Sequence, residues 1–380
     1  MRILYLQEQP CIRTLKYAKG FKSYSSEIEL YFAYTGKTLS EFYGHGDELF
    51  DGWFRIGKDT ASSIKSIANE LKPDLLHCHN GPDTLTVACI HYLGKEFPIV
   101  HDIHDLLSLR STIYEDGLER REIDHGEICR EEKIAIENSD GIITVSPAIL
   151  EIAQKKYSPN SRLNLIFPNL VIGEMVPATL SDKLSQNDGQ MHIVYEGHLD
   201  QKRSGGHYDL FDTFRVITEQ GINIHIYPSQ ENELYRELAR SSGLIHYHGS
   251  LKPDQLMGEL TRYDYGWSGF NTTKNRLHAD TVLPNKTIEY IAAGLPVISF
   301  PHRAQKRFIE ENDVGIIIED LSELSARLKS KAVKQMKRFV KEKRFDFTVE
   351  NSIDRVYSFY QEIIGILLER ESCVTEEPRR

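Results

Sequence analysis

The chain has 380 residues, 40% hydrophobic and 27% charged, enough for two to three domains of roughly 150 residues, each with its own core. Its 46 Lys and Arg against 56 Asp and Glu leave a net charge of −10, which argues against the basic face of a duplex DNA binder. The five Cys (11, 78, 89, 129 and 373) contain no C-x-x-C pair, against a disulfide scaffold or structural zinc, and no run reaches the roughly 20 apolar residues of a membrane span.

Met1–Leu6 is apolar only briefly before Gln7-Glu8-Gln9, too short for a signal peptide, so the expectation is a reduced cytoplasmic protein that binds no nucleic acid. Short apolar runs then alternate with helix-length segments. In the first half the predicted strands are Ile3–Leu6, Ile28–Tyr34, Trp53–Ile56, Leu75–His79, Ile99–His104, Ile142–Val145 and Leu163–Phe167. Amphipathic stretches lie between them, such as Ser62–Leu71 with Ile64, Ile67, Ala68 and Leu71 on one stripe. Continuously apolar strands alternating with helices predict a parallel sheet covered on both faces.

The alternation lapses over 173–190, where Pro177, Ser181, Ser185, Asn187, Asp188 and Gly189 cluster and predict a linker. It resumes with Ile193–Tyr195, Ile224–Tyr227, Ile245–His248, Tyr265–Trp267, Val297–Phe300 and Ile316–Ile318. The expected organisation is an α/β chain of two doubly wound, Rossmann-like domains, 1–172 and 191–348, facing across a cleft at their strand C-termini. From Arg327 to Arg344 nine basic residues meet one acid, Glu342. That stretch reads as a solvated helix face over Leu328, Val333, Met336, Phe339 and Val340, with a peripheral contact to an anionic membrane as the alternative. A last amphipathic helix, 349–368, is expected to pack back on the first domain, and 369–380 to be a disordered tail.

The densest chemistry is in 283–300. Pro284 suits a helix start, Gly294 a helix end, and Val297–Phe300 a buried strand. Such a helix N-terminus offers free N–H groups to an anion, and Lys286 in its first turn adds a full charge. Glu289, one turn on, has two oxygens for a vicinal diol such as a ribose. His77 and His79 alternate on one predicted strand while His101 and His104 end another; the spacing gives no metal motif, and no metal site is assigned.

The string Pro284-Asn285-Lys286-x-x-Glu289-Tyr290-x-Ala292-x-Gly294-x-Pro296-Val297-Ile298 resembles the donor-site motif of family 4 glycosyltransferases of the GT-B fold. Asp74–His79, Val100–Asp105, Ser139–Ser146 and Tyr195–Leu199 followed by Lys202-Arg203 resemble further motifs of that family in the same order, so the resemblance spans about 1–368. It implies transfer of a sugar from a nucleotide diphosphate sugar to a glycan, lipid-linked saccharide or small-molecule acceptor, with retention and without metal or other cofactor. The first domain would take the acceptor and the second the donor. By the resemblance Glu289 holds the ribose, Lys202 and Arg203 neutralise the leaving diphosphate, and His104 contacts the transferred sugar as the catalytic residue. Gly197, Thr281, Asn285 and Lys286 complete the donor set, and His79, Asp102 and Arg13 would line the acceptor side.

Three positions depart from the family pattern. Gln9–Arg13 replaces a Gly-rich loop, with Arg13 as the cation available there. His198 stands where an Arg is common, and Thr281, next to Asp280, where the family places an acid on the sugar. These departures keep two other readings in view: a nucleotide-sugar epimerase on the same fold, and a nucleotide-sugar-binding subunit without activity.

Overall fold

All thirteen apolar runs form strands in a computed structural model, which describes residues 1–93, 96–110, 125–160 and 163–375. They divide into two units. One takes Met1–Ser108, the chain leading to Pro168, and the chain from Val349 onward; the other takes Asn169–Thr348.

The first unit holds β1 (Arg2–Leu6), β2 (Glu29–Tyr34), β3 (Gly52–Arg55), β4 (Leu75–His79), β5 (Ile99–Ile103), β6 (Gly141–Thr144) and β7 (Asn164–Ile166). All pair in parallel in the order β3-β2-β1-β4-β5-β6-β7. The order reverses between β1 and β4, so the loops leaving their carboxyl ends diverge and open a crevice there. β4 and β5 are buried along their whole length, which is why they read as unbroken apolar runs interrupted only by histidine and aspartate.

The second unit holds β8 (His192–Gly197), β9 (Asn223–Pro228), β10 (Ile245–Tyr247), β11 (Tyr265–Trp267), β12 (Val297–Ser299) and β13 (Gly315–Ile317). Their order is β10-β9-β8-β11-β12-β13, again parallel, with the reversal between β8 and β11. Ile193, Tyr195, Phe214, Ile224, Tyr235 and Trp267 belong to its core.

The segment 173–190 belongs to the second unit and is tied down there. Ser181 N donates to Thr261 Oγ1 at 3.2 Å, Lys183 Nζ to Thr261 O at 2.7 Å and Ser185 Oγ to Asp264 Oδ1 at 2.8 Å. Its polar composition serves these bonds, and Leu184–Asp188 is a short helix ended by Gly189. The last helix, Ile353–Thr375, runs past the expected end at 368 because Glu369, Arg370 and Glu371 continue a helix-forming sequence. Residues 376–380 of the expected tail lie outside the described residues. This helix buries Val356, Tyr360 and Ile363 in the first unit. Gly141 on β6 permits the approach, since a Cβ there would lie 2.3 Å from Ile363 Cδ1.

The basic stretch forms the helix Lys331–Lys343 and the turn after it. Lys337, Arg338 and Lys343 pair with Asp264, Glu342 and Asp346. Arg344 is buried and donates to Pro177 O and Ala292 O, capping the helix Asn285–Ala292.

Candidate active site

Each unit brings sequence-predicted residues together at the carboxyl edge of its sheet. In the first, β4 ends in His79 and β5 carries Asp102 one residue before its end. The helix Ile12–Tyr24 begins beside them and puts Arg13 in its first turn. Arg13 grips Asp102 with two bonds, Nε to Oδ2 at 2.8 Å and Nη2 to Oδ1 at 3.1 Å, and Nη2 also meets Tyr17 Oη at 2.8 Å and Phe167 O at 2.9 Å. A forked pair of this kind is strong and directional. His77 closes the other side, with Nε2 3.3 Å from Asp102 Oδ2 and Nδ1 bonded to Tyr360 Oη of the last helix.

Burial pushes the Asp102 carboxyl up, but the Arg13 charge, with His104 and His77 beside it, outweighs burial and holds it well below the usual range. Burial likewise drives His79 well below an ordinary histidine, reinforced by His77, and lowers His77. The result is one buried ion pair among neutral rings.

His104 follows β5 with its side chain 20% exposed. Its backbone N donates to Asn80 Oδ1 at 2.8 Å and its Nε2 lies 3.1 Å from His79 Nδ1. The expected acceptor-side residues are placed differently from that expectation. His79, Asp102 and Arg13 are 1%, 0% and 3% exposed, each engaged in the ion-pair network, whereas the neighbouring His104 is the partly exposed member of the cluster. His101 is interior, bonded to Thr86 Oγ1 at 3.1 Å. His77, His79 and Asp102 offer three ligand atoms within 4.8 Å of one another, yet both Asp102 oxygens already accept from Arg13, whose charge opposes a cation there.

In the second unit the helix Asn285–Ala292 starts after Pro284, with no side-chain cap among the described residues. Lys286 is 7% exposed. Its ammonium bonds Tyr195 Oη at 3.0 Å and lies over the Tyr195 and Tyr208 rings, 4.2 and 5.5 Å from their centroids. Burial lowers its pKa to about 8 against the upward pull of Glu196 and Glu289. Gly197, at the end of β8, has φ +110° and leaves the ammonium room. Glu289 stands one turn along the helix, half-buried, and Asn285 is half-buried at its first position.

Two donor-side expectations meet a different environment. Arg203 is paired with Asp209, at 3.3 Å, and with Asp212, and stacks 4.5 Å from the Phe211 ring; it would have to leave two carboxylates to meet a phosphate. Thr281 is fully buried, its hydroxyl donating to His278 O at 2.7 Å. Lys202 is exposed. The residues that sequence reasoning missed are Tyr195, Tyr208 and Glu196 around Lys286, and Tyr17 and Tyr360 around Asp102. Only tertiary structure joins them, though Asp209 and Asp212 did follow Arg203 closely enough to warn of the pairing.

Residues 44–169 match the family model described as Glycosyltransferase Family 4, and 211–351 match that of the glucosyltransferase 3-like C-terminal domain. No curated protein sequence matches the chain. Among solved structures, sucrose-phosphate synthase from Thermosynechococcus elongatus is similar with a TM-score of 0.68 at 12% identity, covering 96% of this chain and 99% of that one. HepE from Anabaena, solved with UDP, gives 0.64 at 15% identity over 97% and 100%, and has also been solved with UDP-glucose. A glycosyltransferase from Rickettsia africae gives 0.68 at 12% over 96% and 98%. Two parallel α/β sheets, with one of these two matches falling on each, make the GT-B fold of the glycosyltransferases, the first unit similar to family 4 and the second to the glucosyltransferase 3-like C-terminal domain.

Proposed function

We propose that the chain transfers a sugar from a nucleotide diphosphate sugar to a glycan, lipid-linked or small-molecule acceptor with retention, the nucleotide on the second unit and the acceptor on the first. The observation that carries the donor half is Lys286: a buried ammonium beside an open glycine, at an uncapped helix start, with a carboxylate one turn on. The ammonium and the helix N–H groups suit a diphosphate, and Glu289 suits a ribose diol. HepE, bound to UDP and to UDP-glucose, supports a uridine diphosphate sugar as the first donor to try. Retention is supported by the family 4 match.

The leaving diphosphate needs no divalent ion in this scheme, since Lys286, the exposed Lys202 and the helix start supply its countercharge. Activity should survive excess chelator; loss restored by one specific metal would remove this part of the reading. No helix among the described residues is long and apolar enough to cross a membrane.

A thermal-shift panel of nucleotide sugars, followed by assay of nucleoside diphosphate release with and without acceptors, tests the proposal. Release that depends on an acceptor supports transfer, and isomerised sugar without acceptor supports an epimerase. The buried hydroxyl of Thr281 favours a second reading, donor binding without activity, and binding with neither release nor isomerisation would establish it.

A further inference from the structure

His104 is not alone at the end of β5. Its Nε2 lies 3.1 Å from His79 Nδ1, and the Asp102 Oδ2 atom is 3.5 Å from His79 Nδ1 and 3.8 Å from His104 Nε2. The other His79 nitrogen, Nε2, is buried and has no hydrogen-bond partner among the described residues. Two facing ring nitrogens at this distance share one proton, and the surroundings decide which carries it.

Were the proton on His104 Nε2, His79 Nδ1 would turn a lone pair toward the carboxylate at 3.5 Å. The proton of His79 would then sit on Nε2, a buried N–H with nothing to accept it. With the proton on His79 Nδ1 both faults lessen: the N–H lies between His104 and the anion at 3.5 Å, the lone pair facing the carboxylate is that of His104 Nε2 at the longer 3.8 Å, and the orphaned atom is an acceptor, the more tolerable of the two. Arg13 keeps the anion in place from the far side through its two bonds to Asp102.

We infer that His79 is a positioning residue: its Nδ1–H donates to His104 Nε2 and holds His104 in the tautomer that keeps its own proton on Nδ1. His104 then meets substrate as a hydrogen-bond donor and not as a base. This rests on the reading that His104 contacts the transferred sugar. A donor fixed before substrate arrives strengthens as negative charge builds on the oxygen it faces, with no reorganisation at the moment of reaction.

The test is 15N spectroscopy of the histidine rings in the full chain, the His104 signals being assigned by their loss in His104→Ala, together with steady-state kinetics of His79 variants. The wild-type spectrum should show Nδ1 protonated and Nε2 bare on His104. In His79→Phe the His104 tautomers should mix, with kcat down about tenfold to a hundredfold and donor KM changed by less than about threefold. His79→Asn, whose amide N–H stands where Nδ1–H stood, should restore most of the turnover; His79→Gln, whose amide stands at the Nε2 position, should not. If His79→Phe fails to fold, the Asn and Gln pair carries the test, and equal activity of the two overturns the inference. A proton on Nε2 of His104 in the wild type, or a doubly protonated ring at neutral pH, also overturns it. Full turnover in His104→Ala with the expected spectrum would instead sink the reading of His104 and leave the tautomer standing.

Discussion

The Lys286 ammonium lies 3.2 Å from where a Cβ would sit on Gly197. That residue holds φ at +110°, a conformation L side chains rarely take. The glycine therefore serves twice, allowing the backbone turn after β8 and leaving Lys286 its place over the Tyr195 ring. Gly197→Ala should cost about 1–2 kcal/mol of stability from the backbone alone. It should also weaken UDP-glucose binding on the order of tenfold as the methyl displaces the ammonium. Calorimetry and thermal melts on one preparation check both, and unchanged affinity would take Lys286 out of the donor site.

Lys286 also sets a pH dependence. Burial brings its pKa down to about 8 in the free protein, so the side chain is an ammonium below that pH and neutral above it. A diphosphate ester bears its charge throughout the range and needs the ammonium. UDP-glucose affinity should therefore be flat below about pH 8 and fall about tenfold per unit above it, as binding takes up a proton. Lys286→Arg should remove that alkaline fall. A wild-type profile flat to pH 9.5 would refute the assignment.

Glu289→Ala removes a charged acceptor from the same helix while leaving the buried face, Ile288, Tyr290 and Ile291, intact. The expected loss is about 1.5–3 kcal/mol of donor binding with an unaltered melting temperature. Binding of inorganic pyrophosphate, which has no ribose, should hardly change; equal losses for both ligands would move Glu289 from the ribose to the phosphates.

His104→Ala should cut turnover by roughly a hundredfold or more, the size expected for one transition-state donor, and leave UDP affinity nearly unchanged. The variant should fold normally, because the bond that fixes this strand end is made by the His104 backbone N to Asn80 Oδ1 and survives the substitution. Lost thermal stability with full turnover per folded molecule would reduce His104 to a strand-end residue.

A row of histidines crosses the second sheet away from the donor residues. Asp188 accepts from His192 Nε2 at 3.0 Å, His192 Nδ1 lies 2.8 Å from His225 Nε2, and His225 Nδ1 lies 2.9 Å from His248 Nε2. Burial, then His246, His248, His192 and Arg262, hold His225 down at about 2. The unfolded chain takes a proton near pH 6.5 and the native one does not, so stability is undiminished above that pH and lost as pH falls below it. The loss is about 1.4 kcal/mol per unit, or about 2 kcal/mol by pH 5. His225→Gln should make the fall in melting temperature between pH 6.5 and 5 shallower, the other depressed histidines, His77 and His79 among them, keeping their share; parallel profiles for variant and wild type would contradict the account.

The central strands were legible because they are buried on both faces, which leaves continuous apolar runs such as Ile3–Leu6 whatever the rest of the chain does. The helix bearing Lys286 was legible from Pro284 and Gly294, residues whose backbone restrictions act locally. What escaped notice was set by contacts distant in sequence. Arg13 looked like a cation waiting for a ligand, and it is spent on Asp102, 89 residues away. Arg203, expected on the leaving diphosphate, is paired in the free chain with the nearer carboxylates of Asp209 and Asp212. The polar run 173–190 passed for a linker because composition does not show that Thr261 and Asp264 lie opposite its side chains.

The last helix has a bearing on how the chain is made. Tyr360 bonds His77, Phe359 and Ile363 cover Gly141, and Val349 and Ile353 seat against Gly20. A ribosome therefore has to deliver the entire second unit before the first can bury its own interior. Until then β4 and β6 wait with a bare flank, and a message cut short before codon 360 would yield a sheet whose His77 lacks its phenol.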